Sequence, residues 1–176
     1  GHGQIPRATP DSVATAVAQG KAPATEYATM DFATYVAQGG YNTLRSLLGD
    51  RQARDDILAT IDKAELRGLG GAGFPAARKW RFVIAEPKPR YLAINADEGE
   101  PGTFKDRHCL ESDPHRVLEG ALIAAWTIEA GAIYIYLRDE YPVLHEVLHR
   151  EISYLEEAGL TDGVKVHVRR GAGAYI

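Results

Sequence analysis

The run Ile133-Tyr134-Ile135-Tyr136-Leu137 decides the fold class of this chain. Five consecutive apolar or aromatic residues are typical of a strand covered on both faces, as strands of parallel sheets are. A helix is predicted before the run, capped by Asp113 with Pro114 at its first position, and a second one after it at 142–158. The run is therefore predicted to be a strand between two helices of an α/β sheet.

Further strands are predicted at 91–95 and 164–168, and a short one at 81–85 that the proline-rich stretch 86–89 closes. Strands that alternate with helices through short connections indicate a parallel sheet. The predicted fold class is α/β, a parallel Rossmann-like sheet with flanking helices. Ligands of such sheets bind outside the carboxyl ends of the strands, so the segment after Asn95 is the first place to look for a site.

Three regions are predicted along the chain. Residues 1–27 form a loose N-terminal segment, 28–66 a helical lead-in, and 67–176 the α/β domain. Three short helices are predicted in the lead-in, at 31–38, 41–48 and 51–66. Because the chain stops on an apolar residue in the middle of a motif, we expect the α/β domain to be incomplete at its C-terminus.

Composition excludes several functional classes. The chain has 176 residues, 45% hydrophobic and 25% charged, with a net charge of -4, which is ordinary for a globular protein. The absence of a long basic run disfavours a nucleic-acid partner. No apolar run reaches membrane-spanning length and no signal-peptide profile opens the chain, so we expect no direct membrane insertion and a cytoplasmic location. The single cysteine, Cys109, excludes an internal disulfide and a four-cysteine cluster, and is expected to be a small buried residue.

The first candidate site is the glycine-rich stretch before Phe74. It contains four glycines in six positions, Gly68, Gly70, Gly71 and Gly73. Glycine clusters mark backbone that bends tightly or approaches a ligand closely. The pattern G-x-G-x-x-G normally follows a strand, whereas a helix is predicted here, so a standard dinucleotide turn is disfavoured. A flexible linker remains the alternative, although Lys79 and two nearby aromatic residues favour a phosphate or nucleotide site.

The second candidate site directly follows the strand at 91–95. Asn95, Asp97, Glu98 and Glu100 place an amide and three carboxylates at the carboxyl edge of the sheet. Such groups accept hydrogen bonds from a flavin ring, a ribityl chain or a ribose. Metal binding is the less favoured use, and an acidic turn that caps a helix is the structural alternative. The glycine-rich stretch 169–176 follows the last strand and is expected to form a second wall of the same pocket.

A competing site is the motif His145-Glu146-Val147-Leu148-His149, which matches the zinc pattern H-E-x-x-H on a predicted helix. No convincing third ligand follows, because His167 lies on a predicted strand. We interpret the two histidines as surface residues at chance spacing, with a zinc hydrolase as the alternative. No metal site is therefore expected in this chain.

Three segments, 66–80, 95–107 and 171–176, resemble the NADH-binding flavoprotein subunit of respiratory complex I. The same module is found in the diaphorase subunit of NAD-reducing hydrogenases and in the beta subunit of NAD-dependent formate dehydrogenases. The resemblance covers about 31–176. The stretches 137–141 and 169–175 look most similar to the formate dehydrogenase subunit.

The resemblance implies FMN bound at the sheet edge with NAD(H) stacked over it, and it implies which residues contact them. The implied FMN contacts are Gly68, Gly70, Lys79, Asn95, Asp97, Glu98 and Tyr175, within a glycine loop that also includes Gly71 and Gly73. The implied contacts near the nicotinamide cofactor are Phe74, Lys79, Phe82 and Glu100. No catalytic acid or base is implied, since hydride passes directly between the cofactors, with Glu98 and Glu100 nearby. This chain departs from the complex I pattern at Leu69 and at 76–78, which affects the fine cofactor contacts.

The implied activity is transfer of hydride and electrons between NAD(H) and FMN, coupled through iron–sulfur clusters to formate oxidation. The implied partners are iron–sulfur and molybdenum or tungsten catalytic subunits and a small thioredoxin-like iron–sulfur subunit. The chain's own cluster is expected only in a C-terminal part that this sequence lacks, so we expect the isolated fragment to bind FMN weakly or not at all. The alternatives are the same module in complex I or a hydrogenase, and a non-catalytic nucleotide-binding or assembly domain.

Overall fold

A computed structural model describes Thr9, Asp11 and Thr15 and then residues 29–50, 53–68 and 72–173. Within the three continuous ranges the elements follow one another in this order: α1 (Phe32–Ala37), α2 (Asn42–Gly49), α3 (Arg54–Lys63), α4 (Ala76–Ala85), β1 (Tyr91–Ala96), α5 (Lys105–Ser112), α6 (Pro114–Ile128), β2 (Ala132–Leu137), α7 (Pro142–Glu157) and β3 (Lys165–Arg170).

The three strands form one parallel sheet in the order β1-β2-β3. Tyr91 lies opposite Ala132 at the amino end, and Ala96 lies opposite Leu137 at the carboxyl end. β3 pairs with β2 over the same six positions. The predicted α/β class and parallel sheet are therefore confirmed.

One face of the sheet carries the hydrophobic core. Ile133, Ile135 and Leu137 of β2 are fully buried there. The helix α6 contacts both β1 and β2, and α7 contacts β3. These connections between parallel strands place the apolar stripes of both helices on the same face of the sheet.

The opposite face is less covered within the described residues. Tyr136 is 39% exposed and Tyr91 is 56% exposed. Tyr134 stacks on the ring of His167, with 4.9 Å between the ring centroids, and the Arg169 guanidinium lies over Tyr134. The sequence of β2 predicts a strand covered on both faces, but only the face toward the helices is fully covered within the described residues.

Local caps explain where two helices begin. The carboxylate of Asp31 accepts a hydrogen bond from the Thr34 N–H at 2.7 Å at the start of α1. Asp113 accepts one from the Arg116 N–H at 3.0 Å, with Pro114 in the first turn of α6. Both caps match the sequence pattern for helix starts and confirm the predicted boundaries.

The strand predicted at 81–85 is wrong, because these residues form the last half of α4. Trp80, Val83 and Ile84 pack against the core from one side of that helix, at the spacing of three and four that a helix requires. The contiguous apolar run from Phe82 was misread as a strand. Helix α5 was not predicted at all.

The helices α1 and α2 share the core of the α/β layer. Tyr35, Tyr41 and Leu44 belong to the same buried cluster as Leu118 and Leu122 of α6. Their packing joins the lead-in to the sheet through α6.

A buried polar network lies at the same junction. The Tyr41 hydroxyl lies 2.8 Å from Nδ1 of His115, and His115 Nε2 lies 3.1 Å from Oε2 of Glu151. Arg150 donates to the other Glu151 oxygen at 2.7 Å. Tyr41, His115 and Glu151 are all fully buried. Since each of the three has a polar partner, the network avoids the cost of unpaired groups in the core.

Two predictions about single residues are wrong. Cys109 is exposed on α5 and is not a buried residue. His145 is buried, not on the surface, because it lies beside the stripe of α7 that packs on the sheet, whereas His149 is exposed as expected. Among the described residues no group of three or more His, Cys, Asp or Glu side chains is placed to hold a metal. No helix in the described ranges is long and apolar enough to cross a membrane.

Candidate functional site

The segments that leave the three strands meet at the carboxyl edge of the sheet. The Arg138 N–H donates to the carbonyl of Ala96 at 3.2 Å, which joins the exit of β2 to that of β1. The Gly171 N–H donates to the carbonyl of Leu137 at 2.7 Å, which joins the exit of β3 to that of β2. One continuous edge therefore presents all three exits.

Asp97 and Gly171 lie close together across this edge. A Cβ placed on the buried Gly171 would lie 3.0 Å from Oδ1 and 3.2 Å from Cγ of Asp97. Asn95 steadies the same residue, because its Oδ1 accepts the Asp97 N–H at 3.0 Å. A glycine at 171 thus allows the loop after β3 to approach the carboxylate that follows β1. The structure brings together the two loops that the sequence predicts as walls of one pocket.

Glu98 is a buried carboxylate that caps a helix. It is 3% exposed, and its two oxygens accept the N–H groups of Asp106 at 3.2 Å and Arg107 at 3.4 Å. Lys105 Nζ lies 3.7 Å from Oε1. Negative charge at a helix N-terminus is favourable because it pairs with the free N–H groups there. The helix-capping alternative thus describes the contacts of Glu98, and its contact with FMN stays a prediction.

The turn after Glu98 presents Glu100 to solvent. The backbone N–H and the hydroxyl of Thr103 both donate to the carbonyl of Glu100, at 3.1 and 2.6 Å. Gly102 has a φ of 84°, a conformation that side chains other than glycine rarely adopt. The turn thus holds the carboxylate of Glu100 in solvent, three residues after the half-buried Asp97.

The glycine loop is closed at its base and leads into α4. The Gly68 N–H donates to the Phe74 carbonyl at 2.9 Å, and the Ala76 N–H donates to the Leu66 carbonyl at 2.9 Å. Gly73 has a φ of 53°. Gly70 and Gly71 lie outside the described residues. The loop is therefore pinned at its two ends, and α4 begins immediately after it.

Two exposed phenyl rings follow the loop on one side of α4. Phe74 is 40% exposed and Phe82 is 55% exposed, and their ring centroids are 6.2 Å apart. The guanidinium of Arg78 lies 5.8 Å from one ring centroid and 5.5 Å from the other. Lys79, the next residue, is also exposed. Aromatic faces beside a cation suit a ligand with a flat base and phosphates.

The predicted site residues thus fall into two groups. Gly68, Gly73, Phe74, Lys79 and Phe82 belong to the glycine loop and α4. Asn95, Asp97, Glu98 and Glu100 belong to the loop after β1. The meeting of the two groups around one ligand stays a prediction, and Tyr175 lies outside the described residues.

Sequence reasoning missed Arg138 as a residue of this edge. Its guanidinium contacts the loop after β1, through a short hydrogen bond from Nη1 to the carbonyl of Glu98. The available signal was its position, since it immediately follows the end of β2 at the edge where ligands bind.

Comparison with known proteins places the chain in a family. Residues 61–176 match the model of the Nuo51 FMN-binding domain. The chain is 44% identical over 150 residues to an NADH-quinone oxidoreductase subunit of Aquifex aeolicus (strain VF5), covering 81% of this chain and 35% of the relative. It is 42% identical over 152 residues to the mitochondrial NADH dehydrogenase [ubiquinone] flavoprotein 1 of Dictyostelium discoideum, covering 80% and 31%.

A solved structure agrees. A chain in the crystal structure of NAD+-reducing NiFe hydrogenase in the H2-reduced state matches with a TM-score of 0.74 and 32% identity, over 96% of this chain and 32% of that one. This chain spans about a third of the length of the curated relatives named above. From the family match over most of its residues, the chain belongs to the Nuo51 FMN-binding domain family.

Proposed function

We propose that this chain is the FMN- and NAD(H)-binding part of an oxidoreductase subunit, a diaphorase module that passes electrons between NAD(H) and FMN. The observation that carries the proposal is the close approach of the Asp97 carboxylate to Gly171 at the carboxyl edge of the sheet, in a chain of this family. That edge is where α/β sheets bind their ligands. The names of the relatives support the same assignment.

The residues at the edge fit FMN. Asn95 and Asp97 offer oxygen acceptors for the N–H and hydroxyl groups of a flavin, and the absence of a side chain at Gly171 leaves room for the Asp97 carboxylate at the edge. We propose that the glycine loop and Lys79 hold the phosphate side, through backbone N–H groups and a positive charge. FMN, when bound, supplies the two-electron and one-electron chemistry of the site.

We propose that NAD(H) lies against Phe74 and Phe82. Their exposed rings offer faces for a base, and Arg78 places positive charge beside them for a phosphate, with Lys79 as the next residue of the same helix. Glu100, which is exposed at the turn after β1, is proposed to accept a hydrogen bond from a ribose or an amide of the same ligand. Residues of the chain then orient two ring systems, and no side chain transfers a proton during hydride transfer.

The test is NADH-dependent ferricyanide reduction and flavin absorbance, measured on the native polypeptide in its complex. Lys79→Ala should lower both signals. The structure argues against Glu98 as the test residue, because its substitution would also uncap α5. Lys165→Ala is the matched control, since Lys165 begins β3 at the amino edge, about 17 Å from the site by strand length. Normal flavin content and activity in the Lys79 variant would contradict the proposed phosphate contact, and wild-type protein without flavin would overturn the function.

We further propose formate as the source of electrons, through iron–sulfur clusters and a molybdenum or tungsten subunit, with a small thioredoxin-like iron–sulfur subunit as a neighbour. The support is the similarity of residues 137–141 and 169–175 to the formate dehydrogenase subunit. The matched relatives belong to quinone-linked NADH dehydrogenases and a hydrogenase, so those contexts are the competing ones. Formate-dependent NAD+ reduction by the purified complex supports the first context, and reduction by H2 or NADH-dependent quinone reduction without formate activity supports the others.

A second candidate is a nucleotide-binding or assembly domain without catalysis. It predicts that the native complex binds a nucleotide but shows no flavin spectrum and no ferricyanide reduction.

The single cysteine fits a reducing compartment such as the cytoplasm. We propose that the 176-residue chain alone binds FMN weakly, because the relatives are about three times as long as the part that matches this chain.

A further inference from the structure

Arg138 grips two residues on different segments. Its Nη1 donates a short hydrogen bond to the carbonyl of Glu98, forty positions earlier in the chain. Its Nε and Nη2 each contact one carboxylate oxygen of Glu140, at 3.1 and 3.2 Å. The paired carboxylate fixes the plane of the guanidinium, because a guanidinium and a carboxylate match as two parallel hydrogen bonds.

A second arginine, Arg107, lies against the same aromatic ring as Arg138. The ring of Tyr141 has the Arg138 guanidinium 5.9 Å from its centroid and that of Arg107 at 5.6 Å. The backbone N–H of Arg107 also donates to the carboxylate of Glu98, and the Arg107 side chain pairs with Glu111 at 2.7 Å. Glu98 is therefore held at its carbonyl by the exit of β2 and at its carboxylate by the start of α5.

We infer that Arg138 is a positioning residue for FMN: it fixes the turn 97–102 against the edge of the sheet and so sets the affinity and the surroundings of the flavin. The inference rests on the proposed function. Asp97 and Glu100, both proposed cofactor contacts, are one and two residues from the carbonyl that Arg138 holds. Since the Asp97 carboxylate lies close to the place where a side chain at 171 would begin, a shift of the turn changes the shape of the pocket directly.

The contact with the backbone makes this role specific. A carbonyl has the same position whatever its side chain does, so Arg138 acts on the path of the turn and not on the charge of Glu98. Its own charge is paired with Glu140. Lysine at 138 would keep the positive charge but lose the planar fork that serves both partners.

The test uses apo-protein of the native polypeptide in its complex, titrated with FMN while flavin fluorescence and visible circular dichroism are followed. We expect the Kd for FMN to rise at least about tenfold in Arg138→Gln and Arg138→Lys, with a changed circular dichroism of the bound flavin. Arg116→Gln is the matched control, because Arg116 is exposed and its guanidinium pairs with Asp113, which is not a proposed cofactor contact. Glu140→Gln keeps the bond to Glu98 and should have a smaller effect than either change at 138.

A merely structural role would lower the melting temperature and leave the Kd and the flavin spectrum unchanged, which would overturn the inference. If Arg138→Gln does not fold, Arg138→Lys decides: a wild-type Kd and spectrum in that variant also overturn it. Weakened binding with an unchanged melting temperature supports it. Wild-type protein that binds no FMN would overturn the proposed function itself, a result distinct from normal binding in both variants.

Discussion

Tyr41→Phe should destabilise the protein although it removes a single oxygen atom. The Tyr41 hydroxyl lies 2.8 Å from Nδ1 of His115, and both residues are fully buried. Nε2 of His115 lies 3.1 Å from the carboxylate of Glu151, which can only accept, so the N–H of the neutral ring is assigned to Nε2. Nδ1 then needs a donor, and the tyrosine hydroxyl is the one that faces it.

The magnitude follows from what phenylalanine leaves behind. The ring keeps its edge contact with Tyr35, at 5.1 Å between centroids, so the loss is confined to the hydrogen bond. A buried acceptor without a partner costs about 1–3 kcal/mol. We expect the free energy of unfolding to fall by about 2 kcal/mol. For a chain of this size that corresponds to a melting temperature lower by about 4–8 °C.

The assay is urea unfolding at pH 7.5, followed by tryptophan fluorescence. Tyr154→Phe is the matched control, because Tyr154 is 43% exposed and water can take the place of its hydroxyl as a hydrogen-bond partner. We expect the control to change the free energy of unfolding by less than about 0.5 kcal/mol, as surface substitutions usually do. A change equally small in Tyr41→Phe would refute the assigned direction of the hydrogen bonds in this network.

Three further predictions concern pH, the sheet edge and the exposed rings. Burial holds the pKa of His115 below its ordinary value, so the unfolded chain takes up a proton first and the free energy of unfolding should decrease as pH falls below about 6.5. In urea unfolding at pH 7.5 and 5.5, His115→Gln should show a smaller decrease than the wild type, and equal decreases would contradict this. Gly171→Ala should push the carboxylate of Asp97 by a few tenths of an ångström and raise the Kd for FMN several-fold in a flavin titration, whereas Gly120→Ala, whose added methyl group meets nothing within 4 Å, should leave it unchanged. Phe82→Ala should raise the KM for NADH about tenfold with little change in kcat, since loss of one stacking face weakens ground-state binding by about 1 kcal/mol or more. Phe82→Tyr should keep the wild-type KM, and an unchanged KM in Phe82→Ala would remove Phe82 from the site.

Local patterns made most of the fold predictable. The apolar run 133–137, the caps at Asp31 and Asp113 and the lengths of the connections depend on residues close in sequence, and the structure confirms each. The parallel sheet followed from the alternation of these elements. The acidic loop could be placed at the carboxyl edge for the same reason, because it directly follows a strand.

Contacts between distant residues account for what was missed. Helix α5 has no local cap, since its first N–H groups bind Glu98, which precedes the helix by several residues. The run from Phe82 to Ala85 is as apolar as a strand, and only packing of Val83 and Ile84 on the core marks it as helical. Burial of His145 depends on how α7 lies on the sheet, and no local pattern encodes that.

The attachment of α1 and α2 to α6 has a practical consequence for choosing the first residue of a recombinant protein. Glu119 on α6 accepts hydrogen bonds from the Tyr35 hydroxyl at 2.7 Å and from the Tyr41 N–H at 3.1 Å, so α6 holds α1 and the start of α2 in place. The family match begins at residue 61, and an expression clone trimmed to that position would leave Leu118 and the ring of His115 facing water. Recombinant versions intended for crystallisation or ligand screening should begin upstream of Asp31 to remain free of aggregation.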